Sequence, residues 1–120
     1  MKPTAPIDRV VVNIRDKSAY KPFLVDGEAL PGQSQIQLDE TFPEGAGFTI
    51  YRMEPGAVTQ PHEHTCHEQF LVLDGELIEN DGTVFKPGDF VMLREGTQHN
   101  SRTETGCTLA VFVRTIERDL

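Results

Sequence analysis

The chain has 120 residues, 38% of them hydrophobic and 25% charged, with no tryptophan. That is an ordinary globular composition at the size of one compact domain, and at this length roughly two thirds of the unfolded chain's surface can be buried without disulfide staples. Nineteen Asp and Glu against eleven Lys and Arg leave a formal charge of −8; this repels phosphate backbones and anionic lipid, so nucleic-acid and membrane-surface partners are not expected and small molecules or proteins are.

No apolar run approaches the roughly 20 residues of a membrane helix, and the start of the chain, Met1-Lys2-Pro3-Thr4-Ala5-Pro6, lacks the apolar core of a signal peptide. The expected compartment is the cytoplasm. There Cys66 and Cys107 are expected as free thiols rather than a disulfide.

Residues 1–8, with two prolines among the first six, read as a loose terminus. Strands are then expected at Val10 to Ile14, Ser34 to Leu38, Phe48 to Met53, Glu68 to Leu73, Thr83 to Phe85, Phe90 to Leu93 and Cys107 to Thr115, each rich in β-branched or aromatic residues. Turn pairs separate them: Pro31-Gly32, Glu44-Gly45, Pro55-Gly56, Asp74-Gly75, Pro87-Gly88, Glu95-Gly96 and Thr105-Gly106, with Asp81-Gly82 resembling a two-residue hairpin turn. No segment sustains a 3.6-residue apolar period, so a single, nearly all-β sandwich or small barrel is predicted. Phe70 to Leu73 and Phe90 to Leu93 are apolar on both faces, so N-terminal strands or a second subunit must cover their outer sides.

Three of the four histidines fall within His62-Glu63-His64-Thr65-Cys66-His67, directly before Glu68, and the fourth is His99. In extended chain, residues i and i+2 point to one side, so His62 and His64 can offer two imidazoles to one point and Glu68 can add a carboxylate. Such nitrogen and oxygen donors suit Fe(II), Mn(II), Ni(II), Cu(II) or Zn(II). A helical zinc-protease motif does not fit, because neither His-Glu pair has its second histidine at the required place.

Gly56, five residues, His62-Glu63-His64, three residues, Glu68, six residues, Gly75 resembles the first cupin motif at every defined position. Gly88, five residues, Arg94-Glu95-Gly96, two residues, His99 resembles the second, with Arg94 in place of proline and Thr103 where asparagine is frequent. The resemblance spans about residues 31–113 and implies a double-stranded β-helix, the cupin jelly-roll barrel, holding one divalent metal through His62, His64, Glu68 and His99. Phe48 through Gly75 and Gly106 to Leu109 are similar to ChrR-type cupins, a group with the zinc-binding domain of certain anti-sigma factors and relatives of oxygenases that cleave acetylacetone or dihydroxyacetophenone.

Of the remaining residues, His67 has the opposite parity to Glu68 and is expected in solvent or behind the ligands. Cys66 shares the ligand parity but reads as a small buried thiol, and Cys107 as core. Phe70 and Val72 are expected to wall a substrate pocket. Tyr51, Arg52, Gln69, Gln98 and Asn100 are candidate contacts that strand parity cannot sort. The resulting expectation is a metal-dependent cupin enzyme, an Fe(II) dioxygenase acting on a small diketone, hydroxy-ketone or aromatic substrate, with all four ligands as its catalytic residues and a homodimer as its assembly. The alternatives are a non-catalytic metallocupin sensor or binding module, and a Zn or Mn Lewis-acid isomerase or hydrolase.

Overall fold

Asp26 and Gly27 both have positive φ (51° and 79°), the signature of a two-residue turn whose twist matches the strands it joins. It links β1 (Lys21–Val25) to β2 (Glu28–Gln37), with Val25 opposite Glu28. The computed structural model describes residues 1–120 and continues with β3 (Gly47–Met53), β4 (His62–Glu63), β5 (Glu68–Gly75), β6 (Leu77–Glu79) and β7 (Val84–Phe85). Then follow β8 (Phe90–Leu93), β9 (Gln98–His99), β10 (Ser101–Arg102), β11 (Cys107–Val113) and β12 (Arg118–Asp119).

Six strands form one antiparallel sheet in the order β1-β2-β3-β11-β5-β8; β10-β6-β7 and β12-β4-β9 form two small sheets. Neighbours that are distant in sequence, such as β3 and β11, mark the wound-up connectivity of a jelly roll. The inward residues Met53, Phe70, Val72, Cys107 and Leu109 of the large sheet pack with Ala57 and Leu77, and Phe85 of β7 lies against them. This core fills one end of the barrel.

The structure departs from the sequence reading in local ways. Val10 to Ile14 is not a strand, although it is rich in valine: residues 1–20 hydrogen-bond only among themselves, and β-propensity without a neighbouring edge makes no ladder. The strands accordingly run from Lys21 to Asp119, beyond the 31–113 span of the motifs. Pro31-Gly32 does not reverse the chain but lies inside β2, where the register slips opposite Pro22 to Leu24 and Gly32 has φ 69°. Asp81-Gly82 belongs to a three-residue loop closed by the Glu79 N–H donating to the Thr83 carbonyl (2.8 Å), with only Gly82 at positive φ.

The two-faced strands arise as follows. Ile50, Ala110, Leu71 and Phe90 are paired across β3, β11, β5 and β8 and share the outer face; Phe48, Phe112, Gln69 and Met92 form the next row. Phe48, Phe90 and Met92 are 61%, 73% and 46% exposed. No N-terminal strand covers them.

Candidate metal centre

The end of the barrel away from the packed core carries the histidines. After Pro61, β4 is extended and alternates, so His62 and His64 turn inward and are buried while Glu63 is less so. His62 is the register partner of His99 across β4 and β9, which closes thirty-seven residues of sequence into one ring pair with centroids 4.5 Å apart. The turn between β8 and β9 is tied down by His64: its N–H donates to the Thr97 carbonyl and its carbonyl accepts from Gly96, both at 2.9 Å.

Each imidazole is oriented through Nδ1. His62 Nδ1 donates to the Gln60 carbonyl (2.7 Å), His64 Nδ1 faces Glu68 Oε2 (3.2 Å), and His99 Nδ1 donates to both oxygens of Glu79 (2.7 and 2.9 Å). Ser101 Oγ also donates to Glu79, at 2.5 Å. The Nε2 atoms are thereby left as lone-pair donors pointing inward; His64 Nε2 and His99 Nε2 stand 2.8 Å apart, and the donor atoms of the three residues lie within 4.8 Å of one another. Two lone pairs so close repel unless a proton or cation sits between them. Three convergent imidazoles, each held at Nδ1 by another group, fit a divalent transition metal.

The charges around the rings differ from one ring to the next. Burial lowers His62, and the neighbouring imidazoles add to the shift, so this ring stays neutral. Burial also acts to lower His64, but the hydrogen bond and charge of Glu68 outweigh it and raise its pKa. Glu79 would be raised by burial, yet the hydrogen bonds from His99 and Ser101 hold it below the usual carboxylate range. Glu117, whose Oε2 lies 3.2 Å from His62 Nε2, is pushed up to about 7 by burial and by the Glu68 carboxylate.

A cavity of about 580 Å³ opens beside the three rings. Met53, Phe70, Leu109 and Val111 give it apolar walls, and Gln35, Thr49 and Tyr51 give it polar points. Tyr51 Oη donates to Gln33 Oε1, and burial raises its pKa well above the ordinary value. Phe70 lines this space. Val72 does not: it faces inward and packs in the same apolar cluster as Phe70, but it is not part of the cavity wall.

Cys66 is half-buried at the cavity rather than fully buried. Burial raises its thiol, but hydrogen bonding with Thr115 more than offsets this and its pKa is lowered. Cys107 is core, pushed up to about 12 by burial. His67 is exposed and its Nδ1 accepts from the Glu95 N–H at 2.8 Å, outside the cluster. Arg52 pairs with Glu54 (2.8 Å), Gln98 with Glu63 (3.1 Å), Gln69 is on the outer face, and Asn100 contacts Asn80 through its backbone. None of these four lines the cavity.

Sequence reasoning missed Glu79 and Glu117. Glu79 ends a short strand that had no recognisable pattern, and is placed only by its register partner Ser101. Glu117 follows the last long strand and is placed by β12 pairing with β4.

The comparisons with known proteins follow the same lines. The solved structures similar in fold include the acetylacetone dioxygenase of Acinetobacter johnsonii (17% identity, 92% of this chain and 75% of that one, TM-score 0.67). They also include the polyketide cyclase RemF of Streptomyces resistomycificus (22%, 92% and 86%, TM-score 0.62). A third is the Rhodobacter sphaeroides complex of SigE with the anti-sigma ChrR (24%, 68% and 44%, TM-score 0.54). No curated protein matches the sequence. The profile of the ChrR Cupin-like domain matches residues 23–117, which covers every strand from β2 to β11 and all three converging histidines, and the chain therefore belongs to the ChrR cupin-like family.

Proposed function

We propose that the protein is a metal-dependent cupin enzyme, an Fe(II) dioxygenase acting on a small diketone, hydroxy-ketone or aromatic compound. The observation that carries this reading is the triad of inward Nε2 atoms at the wall of an apolar cavity large enough for a small organic molecule. His62, His64 and His99 hold the metal; Glu68, the fourth ligand that the cupin motif implies, stands at His64 Nδ1 (3.2 Å), behind the converging Nε2 atoms. When bound, such a metal supplies both a Lewis acid and a redox centre. Phe70, Leu109 and Val111 exclude water and orient the apolar part of a substrate, and the polar groups of Gln35, Thr49 and Tyr51 can meet its oxygens. The fold shared with an acetylacetone dioxygenase supports the substrate class.

The test is oxygen uptake by Fe, Mn, Ni and Zn forms against a panel of diketones and hydroxyacetophenone-like compounds. Uptake by the iron form and none by the zinc form is expected, because Zn(II) has no redox chemistry. Absence of uptake with every metal and compound would end the dioxygenase reading.

A second reading, a metallocupin sensor or binding module, is favoured by family membership and by the half-buried Cys66 thiol at the cavity. It predicts ligand binding or oxidant-driven metal loss without turnover.

For assembly, we propose a homodimer in which the outer sheet face is covered by a second copy. One chain supplies both halves of the missing contact: a free apolar segment with Val10 and Val11 69% and 82% exposed, and the β8 edge with Phe90 and Met92 beside it. A two-fold pairing satisfies both reciprocally.

A further inference from the structure

The carboxylates near the histidines do not all approach them from the same side. Glu68 and Glu79 meet His64 and His99 at Nδ1, the back of each ring. Glu117 meets His62 at Nε2, 3.2 Å away, while His62 Nδ1 is engaged by the Gln60 carbonyl. Of the three acids, it alone touches a nitrogen on the face where the Nε2 atoms converge.

Its position is held from both directions along the chain. Ahead of it, Thr65 Oγ1 donates to the Ile116 carbonyl and contacts Thr115 Oγ1, both at 2.7 Å. Behind it, β12 pairs with β4, with Asp119 opposite His62 and Arg118 opposite Glu63. The Arg118 guanidinium donates to Glu63, and the Leu120 N–H donates to the Pro61 carbonyl at 3.0 Å. The strand that presents His62 therefore also clamps the segment presenting Glu117, which lies two residues before His62's partner Asp119 and so points to the same side of the strand, toward His62.

We infer that Glu117 enters the coordination sphere of the metal held by His62, His64 and His99, as a carboxylate delivered by the C-terminal segment in addition to the residues of the cupin motifs. The inference rests on the reading of the triad as a metal site. Its chemistry is coherent: a carboxylate oxygen 3.2 Å from an imidazole lone pair is held there by a proton or a cation between them, and a hard oxygen donor beside three nitrogens suits the divalent metals already favoured.

Cobalt(II) is a suitable probe, since its visible d–d absorption reports coordination number and geometry independently of any activity. In the full chain, Glu117→Gln is expected to weaken Co(II) affinity at least about tenfold in chelator competition and to change the d–d spectrum. Glu117→Asp should recover part of the affinity, and Thr65→Val, which loosens the segment without touching the carboxylate, should shift the spectrum partway. Wild-type affinity and spectrum in Glu117→Gln would overturn the inference and leave the metal site standing. If circular dichroism shows that Glu117→Gln is unfolded, unchanged Co(II) spectra in Glu117→Asp and Thr65→Val overturn it instead. Failure of the wild-type chain to bind Co(II) removes the metal reading itself, and this inference with it.

Discussion

Glu79 shows how much of the centre lies outside the two motifs. It accepts both His99 Nδ1 and Ser101 Oγ and so fixes the ring's tautomer and aim; outer partners of this kind typically change metal affinity by about 10- to 100-fold. Glu79→Ala is therefore expected to weaken metal binding by about that factor, and His62→Ala and Glu68→Ala to cut metal content strongly. His67→Ala, whose ring only accepts a backbone N–H, should leave it unchanged. Elemental analysis of the purified variants decides, and metal loss in His67→Ala would contradict the assignment. Affinity also depends on pH through proton competition. His64 is raised above its ordinary value by Glu68 while His62 is lowered by burial, so His64 takes up a proton first and affinity should begin to fall as pH drops toward about 6.5. Chelator competition across that range checks the sign. Residue types and parity were enough to nominate His62 and His64, with Glu68 beside them, because i and i+2 share a side in any extended chain; His99 entered through the resemblance to the second cupin motif. The partners of their Nδ1 atoms were not legible, since two of them come from strands and loops whose register no local pattern encodes.

Glu76 staples the turn that leads into β11. Its carboxylate accepts from the Glu104 and Thr105 N–H groups (2.9 and 3.2 Å) and from the Thr103 and Thr105 hydroxyls, and these hydrogen bonds, Thr105's first, lower its pKa to about 2. A folded-state pKa below the unfolded value of about 4.5 contributes stability that is present above pH 4.5 and lost as pH falls toward 2. The group is half-buried at the surface and its gain is screened by solvent, so Glu76→Gln should cost about 1 kcal/mol at neutral pH. The gap between wild-type and variant unfolding curves should close as pH falls through that window; a gap constant with pH would refute the assignment. The adjoining Gly75 has φ 75°, and a Cβ there would lie 1.9 Å from the Gly106 carbonyl oxygen, so this motif glycine is a packing requirement of the β5–β11 junction. Strand composition located most of the long elements, but β1 was missed even though Asp26-Gly27 is a hairpin signal. The Val10 to Ile14 segment was overcalled for the opposite reason: it has the composition of a strand and no edge to join.

The molecule measures 50 × 28 × 28 Å, an elongated outline for 120 residues, with Ile7, Val10 and Val11 exposed on a segment that has no hydrogen bond to the barrel. Together with Phe48, Phe90 and Met92 on the outer sheet this is more apolar surface than an isolated chain of this size comfortably leaves in water. Light scattering at micromolar concentration should give a mass near twice 13.4 kDa, consistent with an interface on the order of 1,600 Å². Phe90→Glu should shift it to monomer without loss of fold, and a monomeric wild-type chain would sink the proposal.

Turn punctuation and strand composition were by themselves sufficient for a nearly all-β domain, and parity for His62 and His64 on one side, because these are local properties of an extended chain; the spacing from Gly56 to His99 carried the resemblance to cupins and, with it, His99. They could not show that Phe70 reaches the cavity while Val72 stays out of its wall, since both share one parity and only the packing of the barrel around them separates the two. Nor could they bring Glu79 behind His99 or Glu117 in front of His62. Those placements depend on which strands become neighbours, a matter of long-range pairing that balances burial across the whole barrel, and it is this pairing that turns a cluster of histidines into an oriented site.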